Sequence, residues 1–286
     1  MNLKITDFLD NLKLEGKAPG TISEYSRRIN IFIQYLDQHN IVETAVNQQT
    51  MVYFRTYLLR KALNNRTING IFSTLNVFYN WQLLKQYVET NPVNAALHLK
   101  ASQKRIERLS DEEIAVFISW IESLQENLQT AFWLMFGSGA RVSEVAKLTA
   151  TDVFIKDSAV YINITDAKWG SDRQVPIMDQ QAALKVWNYR QISELNGKPL
   201  FKVSSRTLQT YATKFAQTTG ITFHCHLLRH TYAARLLEGG LPITTIQFLL
   251  GHKTLNMTAH YTQSAKIDVS NIVPTIYQER GTNNNE

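Results

Sequence analysis

A single cysteine, Cys225, in 286 residues excludes an intramolecular disulfide and points to a reducing, cytosolic setting. No apolar run approaches the roughly 20 residues that a membrane-spanning helix needs, so a place in a bilayer is not expected. The start, MNLKITDFLDNLKLEG, alternates charged and apolar side chains and lacks the apolar centre of a secretory signal. There is no internal repeat, and the one low-complexity piece is the polar stretch from Gly281 to Glu286. Acidic charge is the scarcer sign: 30 Lys and Arg stand against 24 Asp and Glu, a formal net charge of +6. That excess suits a polyanionic partner but does not name one.

What is present is mostly helical pattern, in a chain long enough for two domains. Residues 1 to about 90 read as helix throughout. Ile5, Phe8, Leu9 and Leu12 have helical spacing, and the stretch from Gly16 to Gly20 breaks it. Thr21 and Glu24 have the spacing of a capping box, which predicts a helix start there. Ile22, Tyr25, Ile29, Phe32, Ile33 and Leu36 follow as one apolar face. Met51, Phe54 and Leu58 mark a third helix; Ile68, Ile71, Phe72, Leu75, Phe78 and Tyr79 mark a fourth. Beside these faces lie Arg27, Arg28, Arg55, Arg60, Lys61 and Arg66. They are either a solvated basic face or a grip on a DNA backbone. Asn91-Pro92 ends the pattern, because proline forces its predecessor out of the helical region. The stretch 99–108 carries Lys100, Lys104, Arg105 and Arg108 with little apolar content, and reads as a basic linker.

A second domain opens at Ser110, which with Glu113 forms another capping box ahead of Ile114, Phe117, Ile118 and Ile121. An apolar helix from Thr130 to Phe136 ends at Gly137-Ser138-Gly139, and Arg141 stands at the start of the next one. Val153 to Ile155, Val160 to Ile164 and Arg173 to Ile177 read as three short strands, with Lys168 in the turn before the third. Helical pattern returns from Asp179 to Ile192 and from Arg206 to Thr218. Next come His226, Arg229 and His230 at the head of an apolar helix. Pro242 to Leu250 is another helix, ended by Gly251 and followed at once by His252. Tyr261 lies in a short pattern beyond. Taken singly, each of these His and Tyr residues is more simply packing. Together they bring two arginine forks, imidazoles and a phenol to helix ends, the means by which proteins hold and attack a phosphate.

In this order the residues resemble the tyrosine recombinases, or phage integrase family. The matching pieces are G-S-G-A-R-V-S-E-V with Arg141, D-A-K-W-G-S-D-R-Q-V-P-I with Lys168, H-L-L-R-H-T-Y-A with His226 and Arg229, and L-L-G-H with His252 ahead of Tyr261. The family's usual G-K-G is here Ala167-Lys168-Trp169. Lys168 is retained because Arg173-Gln174-Val175-Pro176 follows at the family's distance, and Lys156 and Lys147 stand as alternatives.

The resemblance implies a mainly α fold: an N-terminal helical core-binding (SAM-like) domain over 1–98, a basic linker over 99–108, and a mostly helical catalytic domain with a small antiparallel β-sheet over 109–275. A C-terminal tail, 276–286, closes the chain. It also implies that Tyr261 attacks a DNA phosphodiester, forming a 3′-phosphotyrosine and freeing a 5′-hydroxyl. Arg141, Arg229 and His252 would stabilise the transition state, Lys168 would act as general acid and His226 as general base. No cofactor and no metal is implied. The partners are a double-stranded recombination site and further copies of the chain, a homo-tetramer on DNA with a dimer per site. Lys104 and Arg105 of the linker join the six basic residues above as DNA-binding candidates. The apolar stretch Ile267 to Ile276 is expected to dock on a neighbouring subunit. No further domain is expected ahead of the helical one, so an arm-site-binding integrase is not the expected type.

Glu144, three residues after Arg141, and His230 are expected to support the site rather than react. Three rival readings fit the sequence less well. A zinc site at His226 and His230 lacks the H-E-x-x-H glutamate and sets a cation beside Arg229. A DNA-binding regulator has no need of Tyr261. A type IB topoisomerase would carry clamp extensions.

Overall fold

In a computed structural model, residues 4–100, 107–165, 172–193 and 196–252 are described. The chain forms two compact units, Met1–Gln103 and Lys104–Glu286. The first contains α1 (Ile5–Leu14), α2 (Pro19–Gln38), α3 (Gln48–Arg60) and α4 (Asn65–Leu84). Its core is built on phenylalanines at helical spacing: Phe8, Phe32, Phe54, Phe72 and Phe78 are fully buried. Phe8 meets Phe78 edge-on at 5.1 Å between ring centroids, and Phe32 meets Phe54 at 4.9 Å. Such edge-to-face pairs add about 0.5–1.5 kcal/mol beyond area burial.

Helix α2 begins earlier than the Thr21–Glu24 spacing predicts. Pro19 occupies its first position, where a missing N–H costs nothing and the fixed φ favours the turn. Glu24 therefore sits inside the helix and pairs with Arg27 at 2.7 Å and Arg28 at 2.8 Å. The side-chain caps lie elsewhere. Asn47 caps α3 by accepting from the Thr50 N–H at 3.1 Å, and Asn64 caps α4 by accepting from the Thr67 N–H at 2.8 Å.

The second unit contains α5 (Asp111–Glu122), α6 (Glu126–Ser138) and the short α7 (Val142–Val145). Strands β1 (Val153–Lys156), β2 (Ala159–Ile164) and β3 (Arg173–Pro176) follow, then α8 (Gln180–Gln191), α9 (Ser205–Thr219), α10 (Cys225–Glu238) and α11 (Ile243–Leu250). The Ser110–Glu113 capping box forms as expected. The sheet is antiparallel in the order β1-β2-β3. Asp157 and Ser158 both take positive φ, +48° and +63°, the two-residue turn that matches strand twist. Val153, Ile162, Ile164 and Val175 turn one face of the sheet inward. Helix α6 is apolar on nearly every side, and residues 130–138 are all buried. A helix buried all round is a core axis. Helices α5, α8 and α10 pack on it, so its C-terminal end, immediately before Arg141, is held from several directions. Among the described residues, no helix is long and apolar enough to cross a membrane.

Candidate active site

The site starts where α6 stops. Gly139 caps the helix in the left-handed region, with φ of +64°. A Cβ there would lie 2.4 Å from the Tyr232 ring. Only glycine satisfies both conditions, and the turn it makes delivers Arg141 to the N-cap of α7. Gly139→Ala is expected to cost about 2–4 kcal/mol, the left-handed penalty plus overpacking. Urea unfolding will measure it.

Arg141 is held by Glu144. Its backbone N–H and its Nη1 each donate to that carboxylate, both at 2.7 Å. Arg229, on α10, is 1% exposed. Its Nη1 donates to the Gly139 carbonyl at 2.9 Å and its Nη2 to the Leu250 carbonyl. One arginine thus ties the end of α6 to the end of α11. His224 caps α10, its Nδ1 accepting from the Leu227 N–H at 3.1 Å. His226 follows in the first turn, and the His230 ring meets it edge-on, 4.6 Å between centroids. Arg141, His224, His226 and Arg229 line a cleft of about 460 Å³ together with Ser143, Gln209 and Thr213. Cys225 also lines it, but burial pushes its thiol up to about 11, so it is not a nucleophile near neutrality.

His252 stands just after the C-cap of α11, Gly251, whose φ is +62°. Its N–H donates to the Gln247 carbonyl at 3.0 Å, and Gln247 Nε2 donates back to its carbonyl at 3.1 Å. Burial, then the charges of Arg229 and Arg141, hold its imidazole down to about 3. Packing, then Arg229, His224 and Arg141, likewise keep His226 well below the usual imidazole value. His230 is lowered to about 4 by burial and then by its histidine neighbours and Arg229. At neutral pH these rings are therefore uncharged. His226 can accept a proton, and a neutral His252 can donate an N–H to an anion.

The sign of the pH dependence follows. Below about 6.5 an unfolded chain protonates these histidines while the folded one does not, so stability falls on acidification from pH 7 toward pH 4. Glu144 acts in the same direction. Burial raises its pKa, but Arg173 and then Arg141 outweigh that and lower it, so its contribution is lost as the carboxylate is protonated. Urea midpoints at pH 7 and pH 5 should differ, and His252→Gln should narrow the difference.

Two members of the network escaped the sequence reading. Arg173, used there only to locate the lysine turn, is buried at the start of β3. Its alternation with buried Val175 was the available signal, since residues two apart on a strand share a face. The capping role of His224 is the other, hidden because histidine is an uncommon cap.

Arg141, His226 and Arg229 meet at one cleft, and His252 adjoins their charges. Lys168 and Tyr261 lie outside the described residues, as do Lys104, Arg105 and the stretch from Ile267 to Ile276. Of the other basic candidates, Arg27 is exposed and paired with Glu24, while Arg60 and Arg66 are exposed. Arg28 donates to the Gly70 carbonyl at 3.1 Å and the Thr74 hydroxyl at 3.2 Å, bracing α2 on α4. Arg55 donates to the Ala96 carbonyl at 2.9 Å, and Lys61 sits 4.6 Å from the Tyr57 ring centre. Among the described residues, no three His, Cys, Asp or Glu side chains gather as a metal set.

The model of the phage integrase family matches residues 104–267, and that of the phage integrase N-terminal SAM-like domain matches residues 5–86. Tyrosine recombinase XerA of Thermococcus onnurineus is 27% identical, over 92% of this chain and 91% of its own length. Tyrosine recombinase XerC of Neisseria meningitidis serogroup C is also 27% identical, over 95% of this chain and 93% of its own. Among solved structures, a lambda integrase dimer bound to a COC′ core site superposes with a TM-score of 0.72 at 20% identity, over 91% of this chain and 94% of that one. The Tn1549 transposon integrase in complex with a circular intermediate DNA gives 0.70 at 16% identity, over 91% and 94%. These likenesses establish the fold. With both family models matched in order, the chain belongs to the phage integrase family and is a tyrosine recombinase, a site-specific enzyme that breaks and rejoins DNA.

Proposed function

We propose that the chain binds a double-stranded recombination site and exchanges strands through a 3′-phosphotyrosine on Tyr261. The Tyr261 phenol oxygen attacks phosphorus while the bond to the 5′-oxygen breaks. His226 takes the phenol proton and Lys168 supplies one to the departing 5′-oxygen. A 5′-hydroxyl from the partner strand then attacks the phosphotyrosine, restoring a phosphodiester and the free phenol. Bond energy is conserved, so no nucleotide cofactor is needed. Arg141, Arg229 and His252 face the charge that grows on the non-bridging oxygens. The reading includes a homo-tetramer with a dimer on each site, at work in the cytoplasm, where the lone cysteine stays reduced. The outcome can be dimer or cointegrate resolution, integration and excision, or inversion.

The observation that carries this reading is the convergence on one cleft of Arg141, from the start of α7, with His226 and Arg229, from α10, and neutral His252 beside them. A DNA-binding regulator without chemistry has no need of Tyr261. The test uses purified protein and a nicked duplex bearing its site, read on a denaturing gel. A covalent protein–DNA band whose peptide adduct maps to Tyr261 is expected. A bound but uncleaved site, or an adduct on another residue, would overturn the reading.

A further inference from the structure

Arg173 makes contacts in two directions. Its Nη1 and Nη2 fork onto the two oxygens of Glu144, at 3.3 and 3.2 Å. That same carboxylate holds the backbone and guanidinium of Arg141. Its Nε donates to the Leu249 carbonyl at 2.7 Å, near the C-terminal end of α11. A Cβ on Gly251 would come within 2.8 Å of its Nη1, so the C-cap of α11 rests against this guanidinium. The next residue is His252. The side chain of Arg173 is 2% exposed and that of Glu144 is 7% exposed. Buried in this way, the arginine is spent on these contacts, and Arg141, 22% exposed, is left to face the cleft.

We propose that Arg173 is a positioning residue for the strand-cleavage step, which sets Arg141 through Glu144 and His252 through the C-terminus of α11. The assignment rests on the proposed roles of Arg141 and His252. The reason is geometric. Glu144 accepts from Arg141 at two donors and from Arg173 at two more, so each of its oxygens is held by both arginines and its rotamer is fixed. A carboxylate held by Arg141 alone could swing with it. Leu249 and Leu250, consecutive at the end of α11, give their carbonyls to Arg173 and Arg229 respectively. The helix end is thereby registered against the same two arginines that bound the rest of the site. A misplacement of about 1 Å in such a group costs on the order of 100-fold in rate.

The first variant is Arg173→Lys, which keeps the charge but cannot fork to both Glu144 oxygens and reach Leu249 as well. The second is Glu144→Asp, one methylene shorter, which loosens the carboxylate's hold on Arg141 and on the Arg173 fork while leaving the Arg173 bond to the Leu249 carbonyl in place. Both are compared with wild type by single-turnover cleavage at saturating DNA, well below each protein's melting temperature. Two substrates are used: one with a normal scissile phosphate and one with a neutral methylphosphonate there. On the phosphate, a fall of roughly 30- to 100-fold is expected for either variant, with DNA affinity within about threefold of wild type. On the methylphosphonate, which has less charge for Arg141 to neutralise, the gap should shrink to less than about tenfold. A merely structural defect would reduce both substrates alike. An equal gap on both, or no gap on either, overturns the assignment; if one variant does not fold, the other decides. Failure of wild-type protein to cleave either substrate would instead count against the recombinase chemistry itself.

Discussion

Tyr261→Phe will remove the covalent protein–DNA adduct and all strand exchange, while the protein still binds its site with affinity within about threefold of wild type. The expected loss in cleavage rate is roughly 10⁴-fold or more, the scale seen when a nucleophile is deleted and the rest of a site is kept. The size follows from the chemistry. Phenylalanine keeps the ring and removes only the oxygen, so packing and binding have no reason to change. Among the described residues that line the cleft, the Cys225 thiol is held protonated by burial, and the imidazoles are assigned to proton transfer and hydrogen bonding in the proposed mechanism. Water could enter the cleft, but it would release a nicked strand without an adduct. A filter-binding isotherm beside a denaturing gel separates the two effects. A wild-type band that persists in the variant would mean that another residue attacks, and the assignment of Tyr261 would fall. Loss of binding together with the band would mean that the phenol holds the chain or the DNA rather than reacting with it.

The sequence made the residues proposed to react easier to read than their supports. Arg141, His226, Arg229 and His252 stand in short motifs at helix boundaries, and those boundaries are written in glycine and capping residues such as Gly139 and Gly251. Glu144 was legible because three residues on a helix place a side chain on the same face as Arg141. Arg173 was not, because its contacts are to Glu144 and to the carbonyl of Leu249, 76 positions away in the chain. Local spacing cannot report a bond of that reach. The helix starts of the first unit show the same limit in miniature. Thr21 and Glu24 have the spacing of a cap, yet Pro19 starts the helix a turn earlier and leaves Glu24 to the arginines. Basic residues were legible in number but not in role: Arg28 braces two helices, whereas Arg66 is simply exposed. Charge alone does not say which way a long side chain will fold.

Arg229→Lys should lower single-turnover cleavage about 100- to 1000-fold, the cost of removing one preorganised donor from a developing oxyanion. It should also destabilise the fold by about 2–4 kcal/mol. Both numbers come from the same geometry. Arg229 spends Nη1 on Gly139 and Nη2 on Leu250, and its fork is the only part of a side chain 1% exposed that can do this while facing the cleft. A lysine has a single ammonium on a flexible stem, and it cannot meet two carbonyls and a phosphate in the arginine's fixed plane. One carbonyl, or both, would be left buried without a donor, at about 1–3 kcal/mol each. Because Gly139 shapes the approach to Arg141 and Leu250 precedes the approach to His252, the loss would reach Arg141 and His252 too. Cleavage should therefore fall further than the population of folded protein does. Urea unfolding and cleavage at 10 °C, measured on one preparation, make the comparison. A rate that follows only the folded fraction would reduce Arg229 to a strut; a rate that falls far below it, with DNA binding retained, is the result expected of a guanidinium that both ties the site together and meets the phosphate.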